Sequence, residues 1–107
     1  MSLSTHVLDA SAGRPAAGVT VALYQGDRLI AGGVTDQDGR LRDWLPAGEP
    51  GEGVHRLVFG TGAYFAGRGV KAFYPEVVVT FVIDDPGEHH HVPLLLSPYA
   101  YSTYRGS

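Results

Sequence analysis

Five imidazoles stand in this sequence, at His6, His55, His89, His90 and His91, and the last three are consecutive. Imidazole titrates near neutrality, so it can take up and release a proton at physiological pH. On an extended strand alternate residues share a face. His89 and His91 then point one way with Pro93 and Leu95, and His90 points the other way with Val92, Leu94 and Leu96. A face with two imidazoles suits acid–base catalysis or metal ligation. Zinc takes three or four ligands, so the metal reading needs His6 alongside His89 and His91. The spacing fits a solvated polar patch as well. His6, among Leu3, Val7 and Leu8, fits a hydrogen-bonded structural residue. His55, beside Arg56, is expected at the surface.

Arginine is the other reactive type. Lys71 is the lone lysine among the eight basic residues. Arg40 follows an Asp38-Gly39 step, so its side chain starts from a tight turn. Its planar fork of donors matches carboxylates and carbonyl-rich anions. Arg42 shares that face if the chain is extended, and either arginine also reads as a solvated loop charge. The tail from residue 99 to 107 holds three tyrosines, one arginine and three serine or threonine residues, in the order Tyr99-Ala100-Tyr101-Ser102-Thr103-Tyr104-Arg105-Gly106-Ser107. Tyr and Arg are enriched in recognition surfaces. A plain edge strand packing its tyrosines is the simpler alternative.

Strands must position these groups. The 15 glycines and 7 prolines punctuate the chain at short intervals, as in all-β sandwiches. Strands are expected over residues 3–8, 19–24, 29–35, 54–59, 77–83 and 88–96, with a further one in the tail. Residues 9–18 read as a turn-rich connection, 25–28 as a hairpin turn, 36–39 as a turn and 40–53 as loop. Residues 61–69 carry Tyr64, Phe65 and Arg68 at helical spacing, enough for about two turns. Asp84-Asp85-Pro86-Gly87 suggests an antiparallel hairpin between the strands on either side. Pro93 cannot donate to a ladder, so its strand is expected at an edge or a bulge. An edge carrying Leu94-Leu95-Leu96 needs a cover, which a subunit interface beside the His face would provide.

At 107 residues the chain has room for one domain, residues 1–107. A chain without cysteine has no disulfide, thiolate catalyst or Cys-type zinc site. A net charge of −3 argues against a broad nucleic-acid surface. The apolar runs are too short to cross a bilayer, and the first residues lack a signal-like pattern, so no membrane partner and a cytoplasmic location are expected.

Three blocks then carry a family resemblance. They are Leu3-Ser4-Thr5-His6-Val7-Leu8-Asp9 with Gly13-Arg14-Pro15-Ala16-Ala17, Thr35-Asp36-Gln37-Asp38-Gly39-Arg40, and the segment from His89 through Pro98-Tyr99 to Tyr104-Arg105-Gly106-Ser107. Phe73-Tyr74-Pro75-Glu76-Val77 adds to them. Across essentially its whole length the chain resembles the 5-hydroxyisourate hydrolases, the transthyretin-related enzymes of purine catabolism. The resemblance implies an all-β, transthyretin-like two-sheet sandwich of seven or eight strands with one short helix. It implies a homotetramer, a dimer of dimers with a ligand channel between them. It implies catalytic roles for His6, Arg40 and His91, substrate binding by His89, Tyr104, Arg105, Gly106 and Ser107, and no cofactor or metal. His90 stands where the family more often has Tyr, and Ala100 where Gly is common. Two rival functions remain at this level: a transthyretin-like carrier of aromatic small molecules, and a metal-binding module built on His6, His89 and His91.

Overall fold

The structure is a computed structural model that describes residues 3–107. Alternation writes the first strand, β1 (Leu3–Asp9). Leu3, Thr5, Val7 and Asp9 turn inward, and Ser4, His6 and Leu8 face outward. A two-residue strand, β2 (Arg14–Pro15), pairs antiparallel with the end of β1. It lies inside the segment read from sequence as connection only.

β3 (Thr20–Gln25) and β4 (Arg28–Val34) form the expected hairpin, closing at Gln25 opposite Arg28. Gly26, at φ 58°, takes the left-handed conformation this tight turn needs. β5 (Gly53–Phe59) pairs antiparallel with β3, and β6 (Val77–Ile83) pairs antiparallel with β5. Between β5 and β6 lies α1 (Thr61–Gly67), whose Phe65 is buried. β7 (His90–Ser97) and β8 (Ala100–Thr103) pair antiparallel through the Ser97-Pro98 corner.

Eight strands among the described residues thus make two sheets, ordered β2-β1-β7-β8 and β4-β3-β5-β6. Their inner faces meet in a core with Leu3, Val7, Leu23, Leu57, Phe59 and Leu94 fully buried. Each such side chain contributes about 1.5–3 kcal/mol of burial.

Two expectations fail here. The 84–87 segment is a turn, with the Gly87 N–H donating to Asp85 Oδ1 at 2.9 Å. It does not form a hairpin: it carries the chain from one sheet to the other, and β7 lies parallel to β1. Turn residues reverse a chain without specifying which strand receives it. Pro93 is likewise not on an edge strand, because β7 runs between β1 and β8. The ladder accommodates it by lapsing locally. Thr103 pairs with Leu94 and Gly106 bridges His91, in one continuous register, and Pro93 falls between them. Thr103 Oγ1 donates to the Pro93 carbonyl at 2.7 Å, so the N–H that proline lacks would have pointed toward this same lapse. Leu94 and Leu96 of β7 are buried in the core, while Leu95, on the outward face with His91, is half-buried.

Candidate active site

The parallel pairing of β1 with β7 builds the site. Its register sets Ser4 opposite His91 and His6 opposite Pro93, so the outward face of β1 meets the outward face of β7. The 36–39 turn then lays Arg40 beside His6 through an antiparallel bridge. That turn is held by Asp36, whose Oδ1 accepts the N–H of Asp38 at 2.9 Å and of Arg40 at 3.0 Å. The Arg40 N–H bond, ahead of the others, holds the Asp36 carboxyl below its usual range. Gly39 has φ 76°, and a Cβ there would strike the Val7 carbonyl oxygen, so glycine is required. The Gly39 carbonyl accepts the Val7 N–H at 2.8 Å, fastening the turn to β1. Arg42 points away into ion pairs with Asp36 at 3.1 Å and Asp38 at 3.4 Å, and it is largely exposed.

His6 Nε2 lies 2.8 Å from the Asp38 carbonyl oxygen. A carbonyl only accepts, so this nitrogen carries the proton and Nδ1 is the basic one. His91 is half-buried. Its Nδ1 is 2.7 Å from Ser4 Oγ, and the same hydroxyl lies 2.9 Å from His89 Nε2. The two rings stack with centroids 6.5 Å apart. On the other edge of the His91 ring sits Gly106, where a Cβ would come within 2.5 Å of His91 Cδ2. The Gly106 N–H donates to the His91 carbonyl at 2.8 Å. With Nδ1 toward β1 and Cδ2 toward the tail, the Nε2–Cε1 edge of His91 points off the sheet. Burial, then the Arg40 charge and the imidazoles of His89 and His6, push the His91 pKa below the ordinary imidazole value.

The structure therefore gathers His6, Arg40, His89, His91 and Gly106 on one outer face. Tyr104 and Arg105 line a neighbouring cleft of about 340 Å³ together with His90, His91, Phe81 and Thr103. Arg105 is engaged by an ion pair with Glu88, and Ser107 follows Gly106 at the surface. A larger hollow of about 590 Å³ lies between the 43–50 loop and Pro86. Its lining has carboxylates but no imidazole or guanidinium, and Arg28 engages one of them, Glu49, at 2.9 Å.

His90 and His55 fall outside the site. His90 faces the core, as alternation predicts, and its Nδ1–H donates to the Glu88 carbonyl at 2.9 Å. His55 is fully buried, not a surface residue. It shares the inward face of β5 with Leu57 and Phe59, stacks on Phe81 at 6.0 Å, and donates Nδ1–H to the Gly53 carbonyl at 3.0 Å. The alternation of β5 signals this position more strongly than the adjacent Arg56 does. The residue missed from sequence is Ser4. Its signal is its place two residues before His6, on the same strand face. Among the described residues, no group of three or more His, Cys, Asp or Glu side chains could hold a metal ion.

A paired-imidazole face with a guanidinium at its rim, on a two-sheet sandwich, defines a transthyretin-like protein equipped for acid–base chemistry. The pattern of the HIUase/Transthyretin family matches residues 3–106, and the chain belongs to that family. It is 48% identical over 109 residues to the 5-hydroxyisourate hydrolase of Salmonella dublin, covering 98% of this chain and 80% of the relative. The solved 5-hydroxyisourate hydrolase of Klebsiella pneumoniae superimposes with a TM-score of 0.89 at 42% identity, covering 99% of this chain and 93% of the other. Sea bream transthyretin in complex with thyroxine superimposes with a TM-score of 0.93 at 31% identity, covering 99% and 95%.

Proposed function

We propose that the chain is a hydrolase that opens the lactam ring of 5-hydroxyisourate by adding water to its carbonyl. The product is 2-oxo-4-hydroxy-4-carboxy-5-ureidoimidazoline, on the route from urate to allantoin. The observation that carries this reading is the convergence of His6, His91 and Arg40 on one face, in a chain that shares nearly half its residues with a named hydrolase.

Ring opening needs a base for water, a donor for the developing oxyanion and a proton for the leaving nitrogen. The imidazoles of His91 and His6 position the water and take its proton. The Arg40 guanidinium holds the carbonyl-rich substrate and stabilises the oxyanion. As the C–N bond breaks, the charged imidazole returns a proton to the ring nitrogen. The side chains of His89, Tyr104 and Arg105 and the Gly106-Ser107 end frame the substrate. The chemistry asks nothing of a cofactor. Imidazole pairs of this type contribute about 10²–10⁴-fold to a rate.

The site faces outward from the β2-β1-β7-β8 sheet, and β6 and β8 each end a sheet with an unpaired edge. Both features suit a homotetramer in which a second dimer walls the site and the edges pair across the first interface. Residues 1–107 act in this reading as one domain, in the cytoplasm. No helix among the described residues is long and apolar enough to cross a membrane.

The deciding assay follows the fading ultraviolet absorbance of freshly generated 5-hydroxyisourate, with and without chelator. Acceleration over spontaneous decay in both is expected. No acceleration overturns the reading. The likeness to thyroxine-bound transthyretin favours a second reading, carriage of an aromatic ligand without chemistry. Tight thyronine binding by an inactive protein would establish that one instead.

A further inference from the structure

Three of the five imidazoles rest on backbone carbonyls: His6 Nε2 on Asp38, His55 Nδ1 on Gly53 and His90 Nδ1 on Glu88. Each carbonyl fixes the tautomer of its ring, because it accepts and cannot donate. His91 is different. Its Nδ1 meets the Ser4 hydroxyl at 2.7 Å, and that hydroxyl also meets His89 Nε2 at 2.9 Å. A hydroxyl has one proton. When it donates to one ring it accepts from the other, so the proton positions on His91 and His89 are coupled through Ser4.

Ser4 does not reach His91 by chance. The two residues are direct partners in the β1–β7 ladder, which fixes the distance between them. Gly106 packs against the opposite, Cδ2 edge of the His91 ring and prevents it from swinging away. Only one of the two proton orders suits a base. If Ser4 donates to His91 Nδ1, the distal Nε2 bears the hydrogen and cannot take another. If His91 Nδ1–H donates to Ser4 and Ser4 donates to His89, the distal Nε2 lone pair is open. Protonation of that Nε2 then leaves the chain of hydrogen bonds undisturbed.

We propose that Ser4 is a positioning residue. It accepts the Nδ1 proton of His91 and passes its own hydrogen bond to His89 Nε2, holding His91 in the tautomer whose Nε2 is the base. The inference rests on the hydrolase reading for its catalytic consequence, but not for the tautomer itself. His89 serves as the acceptor that orients the hydroxyl. Hydrogen-bond partners that orient a metal-bound imidazole change activity by about 10–100-fold, and Ser4 stands in the same relation to the His91 ring.

The test is carried out on the full chain by long-range proton–nitrogen correlation spectroscopy of the imidazole nitrogens, above the pH at which the rings titrate. His91 is expected to show a protonated Nδ1 and an unprotonated Nε2. In Ser4→Ala that pattern should give way to the Nε2-protonated form that a free ring prefers. Turnover of 5-hydroxyisourate should drop about tenfold with KM changed less than about twofold. Ser4→Thr keeps the hydroxyl and should restore both. A protonated Nε2 on His91 in the unaltered protein overturns the proposal. So does a Ser4→Ala protein with the original nitrogen pattern or the original turnover. If the unaltered protein has no hydrolase activity, the functional reading fails while the nitrogen spectrum still decides the role of Ser4. Should Ser4→Ala not fold, the spectra of the unaltered protein and of Ser4→Thr still decide it.

Discussion

The two faces of the β1–β7 pair use polar groups in opposite ways. On the inner face every polar group described here is closed by a local partner. Thr5 Oγ1 donates to the Val92 carbonyl at 2.6 Å, and His90 is held by the Glu88 carbonyl. Asp9 is caged by the Ser11 N–H at 3.0 Å, the Ser11 hydroxyl at 2.6 Å, the Ala12 N–H at 3.0 Å and the Tyr64 hydroxyl at 2.7 Å. Burial would raise the Asp9 carboxyl, but these bonds, led by Ser11 and Tyr64, hold it below its usual value. Burial and Asp9 in turn push Tyr64 up to about 12. On the outer face Ser4, His6 and His91 also form hydrogen bonds, yet the Nε2–Cε1 edge of His91 points off the sheet. One face closes its polar groups on local partners, and the other turns the distal edge of His91 outward.

Variants on the two faces should therefore separate activity from stability. His91→Asn should lower turnover of 5-hydroxyisourate by about 10²–10⁴-fold while thermal unfolding stays near the original. Near-normal turnover would falsify the site assignment and erase the contrast. Asp9→Ala strips the cage and leaves its donors unpaired, and should cost about 2–4 kcal/mol in denaturant titrations. Turnover per folded molecule should hold. Because the folded Asp9 carboxyl lies below its unfolded value, its contribution is present above about pH 4 and is lost as pH falls through the lowered folded value. The Asp9→Ala protein should accordingly show a flatter acid limb of stability.

Gly106→Ala brings a Cβ within 2.5 Å of the His91 ring and should lower turnover about tenfold, with a smaller effect on unfolding. If turnover were unaffected, the tail would not be bracing His91. Tyr64→Phe removes one bond of the cage and should cost about 1 kcal/mol, seen as a fall of roughly 4–8 °C in Tm. The smallest effect is in pH. His91 is neutral, and so basic, above its lowered pKa, and it is lost as a base when pH falls through that value. The acid limb of kcat/KM should thus lie below the pH of about 6.5 expected of an ordinary imidazole. A limb above that pH would assign the base to another group.

Much of this was legible in the sequence because strand alternation is a local signal. It separated His90 from His91, set the bounds of β1 and β6 closely, and located the 25–28 and 36–39 turns. The short helix followed from the spacing of Tyr64, Phe65 and Arg68. Partner choice was not legible. The parallel union of β1 with β7 joins segments far apart in the chain, and no local residue type encodes it. The hairpin expected at 84–87 and the edge expected at Pro93 both failed for that reason. The adjacent Arg56 suggests a surface position for His55, but the inward pattern of β5 buries it. Ser4 carries no signal of its own in the sequence, because serine acquires significance here only through the two rings it touches.

The same union has a consequence for how the protein comes into being. Ser4 and His6 belong to the first strand, Arg40 to an early turn, His91 to the seventh strand and Gly106 to the segment after the eighth. During synthesis the first strand emerges long before its neighbour exists, with the apolar side chains of Leu3 and Val7 awaiting cover. Closing so long a loop slows folding. It also means that no shorter, partly made chain lacking β7 holds the imidazole pair, so His6 and His91 come together only after β7 has been translated.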